Sequence, residues 1–85
     1  MSMVQELIAA VGSAEWQIDD QLGKLTSYRL RVDEVTRRVE AALAGSSQDY
    51  SMRMIQQLSV TGEQVDQTIA ALQGAKDKLS NVRMV

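Results

Sequence analysis

Two pairs of neighbouring carboxylates are the residues best suited by type to acid–base or metal chemistry. They are Asp19 with Asp20 and Asp33 with Glu34, in a chain that contains neither histidine nor cysteine. Paired carboxylates share a proton or a metal ion only when their oxygens converge on one point. Neighbouring residues on an α-helix point about 100° apart. If these segments are helical, both pairs diverge and are solvated polar positions.

Other chemistry-bearing residues are equally dispersed along the chain. Without His or Cys, nucleophile activation would depend on carboxylates, Lys, Tyr or Ser, and no sequence motif gathers them. The glycines stand at positions 12, 23, 45, 62 and 74 and form no phosphate-binding loop. The sequence therefore predicts a protein that is not an enzyme and that has no cofactor and no metal.

Size and composition predict a helical chain that associates with another protein. The 85 residues include no Pro and no Phe and are rich in Ala, Leu, Gln, Glu, Arg and Met, which favours an all-α fold. A chain of this length buries little apolar surface alone, and the usual disulfide or Cys/His metal staples are excluded. The net charge of −2 is spread over mixed acidic and basic residues, so nucleic acid is not an expected partner.

A seven-residue apolar repeat predicts one long first helix. With Val4 written as position a of a heptad, positions a and d form an apolar seam to about residue 43. The a positions are Val4, Val11, Ile18, Leu25, Val32 and Val39, and the d positions are Leu7, Ala14, Gln21, Tyr28, Val35 and Ala42. Ser2 and Gln5 can form a capping box at the start. Such a helix would be about 60 Å long, so an elongated molecule is expected.

A bend at Gly45 and Ser46 separates this helix from a second one. Gly45 suits the left-handed C′ position that ends helices, and Ser46 or Ser47 can cap the next. The second seam is Ile55, Leu58, Gly62, Val65, Ile69, Leu72, Lys76 and Leu79. We predict a single domain over residues 1–85: helix 1 at about 3–44, a turn at 45–46, helix 2 at about 47–82. The short connection makes the helices antiparallel.

The short bend also predicts a register, in which the numbers of facing residues sum to about 91. Apolar layers then meet along the whole hairpin. Gly62 falls opposite Tyr28, so the missing side chain would leave room for the bulky one. Lys76 falls across from Ala14 and Glu15, where its stem could lie on the core while its ammonium reaches the carboxylate.

Helix 1 carries apolar residues that the hairpin seam does not use. Trp16 and Leu30 fall at position f, away from helix 2, and Ile8 and Leu22 fall at position e. A contiguous apolar strip on a long helix predicts a partner interface, and Trp is enriched in binding hot spots. The alternative is that helix 1 bends or shifts register so that Trp16 covers the end of its own hairpin.

At the bend the chain reads Leu43-Ala44-Gly45-Ser46-Ser47-Gln48-Asp49-Tyr50. This segment resembles the Trp-x-Gly turn of the WXG superfamily of small type VII secretion proteins. Gly45 matches the turn glycine, Ser47 the small residue and Tyr50 the aromatic residue, whereas Leu43 stands in place of the Trp. The export signal of the family, Tyr-x-x-x-Asp/Glu after the second helix, is not present.

With these two departures, the chain is more similar to the accessory helical proteins associated with LXG-domain toxins than to the other members of the superfamily. The resemblance implies an export adaptor that binds the helical N-terminal domain of such a toxin, completing a four-helix bundle or a longer helical complex. A second small helical protein can belong to that complex. We expect a cytoplasmic protein, or one co-secreted with its partner, since neither a Sec signal nor a membrane span is evident.

A second hypothesis is self-assembly. The chain would then be a WXG-like homodimer or a structural subunit of a secretion apparatus. Secretion needle proteins are also short helical hairpins, but they usually bend at a turn that contains Pro, which this chain lacks.

Overall fold

The protein is an all-α helical hairpin, as the sequence predicts. The computed structural model describes residues 2–44 and 49–84, without the side chains of residues 49–51, 83 and 84. Helix α1 runs over Met3–Ala42 and helix α2 over Asp49–Met84. The predicted turn at residues 45–46 lies outside the described residues. Within the described part of the chain no helix is long and apolar enough to cross a membrane.

Both ends of α1 are closed by local hydrogen bonds. Ser2 has an extended backbone (φ −83°, ψ 151°), and its Oγ accepts a hydrogen bond from the amide of Gln5 at 3.3 Å. This is the Ser half of the predicted capping box. At the other end the amide of Leu43 donates to the carbonyl of Val39 at 3.0 Å. The sequence therefore starts and stops α1 with little help from the rest of the molecule.

The two helices lie side by side and antiparallel over most of their length. The molecule measures 66 × 15 × 14 Å, which confirms the expected elongation. Because one helix covers only one strip of the other, few side chains lose contact with water. Val11, Val32 and Val65 are buried, and most other seam residues are half-buried.

The predicted seam of α2 is confirmed. Its eight positions are all buried or half-buried, and the residues between them are mostly exposed. Gly62 and Val65 are the buried pair at its centre. The spacing of three and four residues therefore placed the inward face of this helix correctly.

The predicted seam of α1 is wrong at most of its d positions. Positions a from Val11 to Val39 face α2, but positions e replace positions d beside them. The residues Glu15, Leu22, Arg29, Thr36 and Leu43 are buried or half-buried, whereas Leu7, Gln21, Tyr28, Val35 and Ala42 are exposed. Positions d and e flank position a on opposite sides, so α1 is turned toward its e side. The first turns of α1 are also exposed, including Val4.

Arg29 explains this rotation. Its guanidinium lies against Gly62, where an added β-carbon would be 2.5 Å from Nη1. The space left by Gly62 is therefore filled by Arg29, and the predicted pairing of Gly62 with Tyr28 is wrong. The predicted partner of Lys76 changes as well: its Nζ lies 2.6 Å from Oδ1 of Asp19, and the carboxylate of Glu15 makes a smaller electrostatic contribution that also raises the pKa of Lys76. Turning α1 toward position e gives these polar side chains partners across the hairpin.

The glycines of α2 provide a stability test of this contact. A β-carbon at Gly74 would meet nothing within 4 Å. Gly74→Ala should therefore raise the free energy of unfolding by about 0.5–1 kcal/mol through helix propensity alone. Gly62→Ala should gain less or lose stability, because the guanidinium of Arg29 must move. Urea unfolding followed by circular dichroism measures both changes.

An Arg29→Ala background is the control for this comparison. With the guanidinium removed, alanine at positions 62 and 74 should have nearly the same effect. An equal gain for both substitutions in the wild-type background would contradict the role of Gly62 as the site that receives Arg29.

Candidate interaction surface

One side of the hairpin is crossed by polar side chains. Nε of Arg29 donates to Oδ1 of Asp66 on α2 at 3.0 Å, and Nη1 donates to Oδ1 of Asp33 on α1 at 2.5 Å. The Arg29 side chain is 29% exposed. The hydrogen bond to Asp66 is the main cause that raises the pKa of Arg29 above its ordinary value. The guanidinium therefore bridges the two helices in its charged form.

Two more polar contacts lie nearer the open end on the same side. Oγ of Ser80 donates to Oε2 of the buried Glu15 at 3.2 Å. Nζ of Lys76 lies 2.6 Å from Oδ1 of Asp19, and this hydrogen bond is the main cause that raises the pKa of Lys76. Together with the Arg29 network, these contacts form what we call the polar face. They occupy positions e and b of α1 and, with Ile55 written as position a of α2, positions a and e of α2.

The four carboxylates considered for chemistry are divided among four cations. Asp19 pairs with Lys76 and Asp20 with Lys24, at 2.6 and 3.2 Å. Asp33 pairs with Arg29, and Glu34 pairs with Arg38. The predicted divergence of the two acidic pairs is confirmed, since neighbouring carboxylates point to different cations. In the described part of the chain no cluster of acidic residues could hold a metal ion.

The opposite side of the hairpin is apolar, which the sequence reasoning missed. Positions d of α1 and positions g of α2 lie side by side there, and we call them the apolar face. Its residues are Leu7, Ala14, Gln21, Tyr28 and Val35 on α1 with Met54, Thr61, Thr68, Ala75 and Val82 on α2. The groove that joins the helices on this side is lined by Tyr28, Arg31, Val32, Val35, Leu58 and Thr61. The apolar residues at the d positions of α1 were the sequence feature that indicated this surface, but the heptad pattern predicted them as part of the hairpin core.

The predicted interface strip is only partly assembled. Trp16 is 70% exposed and Leu30 is 64% exposed, so neither covers its own hairpin. Ile8 is also exposed, whereas Leu22 is half-buried. Trp16 and Leu30 lie about 21 Å apart along α1, given the rise of about 1.5 Å per residue. They are two separate anchor points on the outer edge of α1, and their role as an interface stays a prediction.

The residues of the predicted turn motif are described in part. Leu43 is half-buried and follows the last residue of α1, with φ −100° and ψ 6°. Tyr50 lies in the first turn of α2, but its side chain is not described. Gly45 and Ser47 lie outside the described residues. The structure therefore leaves the resemblance of the turn as a sequence observation.

Comparisons with known proteins add no relative. No protein-family model matches the chain, and neither the curated proteins nor the solved structures yield a match.

The ion pair between Lys76 and Asp19 predicts a change in stability at alkaline pH. The pKa of Lys76 is raised in the folded protein, so the pair stabilises the hairpin below the ordinary lysine value of about 10.4. This contribution is lost as the pH rises through the higher folded value. Above about pH 10.4, the melting temperature of the wild type should fall more steeply than that of Lys76→Met. Thermal unfolding followed by circular dichroism measures this difference.

Asp19→Asn is the matched control, because it removes the acceptor and keeps the lysine. It should reduce the alkaline loss of stability in the same way as Lys76→Met. If the wild type and both variants lose stability in parallel across this pH range, the ion pair does not hold the hairpin together.

Proposed function

We propose that this chain is a non-enzymatic export adaptor that binds the helical N-terminal domain of an LXG-type toxin and delivers it to type VII secretion. The observation that carries the proposal is the exposure of Trp16 and Leu30 on the outer edge of a hairpin with little core of its own. Large apolar side chains held open on a rigid helix are typical of a surface that a partner covers.

The geometry of this edge fits a helix of the partner. Position f of the heptad between Trp16 and Leu30 is Gly23, where an added β-carbon would meet nothing within 4 Å. A partner helix lying along α1 can approach the backbone closely at Gly23. Trp16 and Leu30 would then contact it on either side, about two helical turns from the centre.

Sequence observations supply the choice of partner. The turn around Gly45 resembles the WXG superfamily, and the resemblance to LXG-associated accessory proteins implies a helical toxin domain. The complex would form in the cytoplasm, and the adaptor would stay there or leave with its cargo.

Trp16 is the residue to test first. The tagged chain is co-expressed with the helical N-terminal domain of an LXG-type toxin, and the complex is isolated through the tag. Trp16→Ala should reduce recovery of the toxin domain at least about tenfold, and Trp16→Asp should abolish it, because a charge would be buried in the contact. Leu30→Ala should weaken recovery as well.

Val60→Asp is the matched control. Val60 is 44% exposed on α2 and does not belong to the Trp16 edge. It should leave recovery of the toxin domain unchanged, and circular dichroism should show equal helix content in all variants. If the wild type recovers no toxin domain, or if Trp16→Asp recovers as much as Val60→Asp, the proposal fails.

A further inference from the structure

Positions c and g of α1 lie on its back, which faces away from α2 and carries a regular series of ion pairs. A residue at c and the residue at g four positions later are neighbours on the helix surface. Asp20 pairs with Lys24 at 3.2 Å, and two heptads later Glu34 pairs with Arg38 at 2.6 Å. In both pairs the acid precedes the cation, which is the more favourable order on a helix.

The heptad between these two pairs breaks the series. Ser27 stands at position c and Arg31 at position g, so the cation is present without its acid. Within the described part of the chain, no carboxylate forms an ion pair with Arg31. Among the residues three or four positions from Arg31, the acidic one is Glu34, and Arg38 holds it. Arg31 therefore lacks a carboxylate at the place where the neighbouring cations have one.

A groove on the back of α1 gives access to this position. Gly23, Ser27 and Arg31 belong to its lining, and Tyr28 forms part of one wall. A β-carbon added at Gly23 would meet nothing within 4 Å, so this part of the groove is open. Gly23 is also the middle position of the Trp16 edge. The groove therefore opens onto the edge that the partner helix is proposed to cover.

The other charges near the groove leave Arg31 uncompensated. Each nearby carboxylate is held by another cation, in the pairs Asp19 with Lys76, Asp20 with Lys24, Asp33 with Arg29, and Glu34 with Arg38. Arg37 also has no ion pair, but acidic residues stand three or four positions from it on both sides. Lys78 is level with the open end, about 20 Å from Arg31, whereas exposed charges act over about 8–10 Å in physiological salt. The groove therefore has a net positive charge at Arg31.

We propose that Arg31 binds a carboxylate presented by a helix of the partner, at the place where the series on α1 lacks its acid. This inference rests on the proposed function, since the groove and the Trp16 edge meet at Gly23. The guanidinium can donate two parallel hydrogen bonds to a carboxylate, and the Ser27 hydroxyl can donate another. Trp16 and Leu30 then supply apolar contact, while Arg31 fixes the register of the partner helix and selects an acidic side chain.

The neighbouring charges favour a single carboxylate over a polyanion. Asp20 and Glu34 lie one heptad on either side of Ser27 along the same line of the helix, about 10 Å away in each direction. A chain of phosphates on this surface would meet both carboxylates and be repelled. One acidic side chain at Ser27 would instead complete the alternation of acid and cation along the back of α1.

Ser27→Glu supplies the missing acid within the chain itself. Its carboxylate should pair with Arg31, as Glu34 pairs with Arg38. At equal protein concentration, Ser27→Glu should raise the melting temperature about 1–3 °C more in the wild-type background than in an Arg31→Gln background, which lacks the guanidinium. Thermal unfolding followed by circular dichroism measures both shifts. Equal shifts in the two backgrounds overturn the inference, because Arg31 would then not accept a carboxylate at this place.

Binding of the toxin domain is the second measurement. The purified helical N-terminal domain of an LXG-type toxin is titrated into each variant by calorimetry. Arg31→Gln should raise the Kd about tenfold, and Ser27→Glu should do the same by occupying Arg31. The double variant should bind as weakly as either single variant, because both changes remove one contact. Arg53→Gln removes the same charge from an exposed position on α2 and is the matched control, with an unchanged Kd.

The outcomes separate this inference from the proposed function. If Trp16→Asp abolishes binding but Arg31→Gln binds like Arg53→Gln, the proposed function stands and the carboxylate contact is wrong. If the wild type does not bind the toxin domain, both fail. A wild-type dimer that dissociates in Arg31→Gln also overturns the inference, since the carboxylate would then belong to a second copy of the chain.

Discussion

The structure depends on the geometry of two helices packed without a third. A pair of helices shares a single strip, so each helix keeps most of its circumference in water. Among the side chains that the structure describes, that strip buries three apolar ones, Val11, Val32 and Val65. Helix propensity and the Ser2 cap support the local structure, but the conformational entropy lost over more than seventy ordered residues must be offset by further burial. Two exposed apolar surfaces on the same molecule provide the means for that burial.

The two sides of the hairpin differ in how they contribute to its structure. The polar face sets the register, because sliding α2 by one turn would separate Arg29 from Asp66 and Ser80 from the buried Glu15. Gly62 makes this possible, since a larger residue would push the guanidinium out. The apolar face stays mostly exposed, and the Trp16 edge lies outside both faces.

Much of the fold followed from periodicity, and the error followed from its ambiguity. Valine, isoleucine and leucine at every position a of α1 predict a helix whose position a faces inward. They do not show whether position d or position e also faces inward, because both are adjacent to a. Apolar residues such as Tyr28 and Val35 favoured d, but the pairing of Arg29 with a carboxylate and a glycine on α2 turned the helix toward e. Such a contact between residues 37 positions apart cannot be read from a local pattern. The second helix was placed correctly because Gly62 and Lys76 continued its seam.

The central claim is that this hairpin becomes stable by covering its outer apolar surface with further helices. The most direct test is the dependence of thermal unfolding on protein concentration, since folding linked to association is stabilised by mass action. We predict that the melting temperature of the isolated chain rises by several degrees over about a hundredfold increase in concentration, with an unfolding transition that fits folding linked to association. A melting temperature independent of concentration, together with a monomeric mass, would contradict the account.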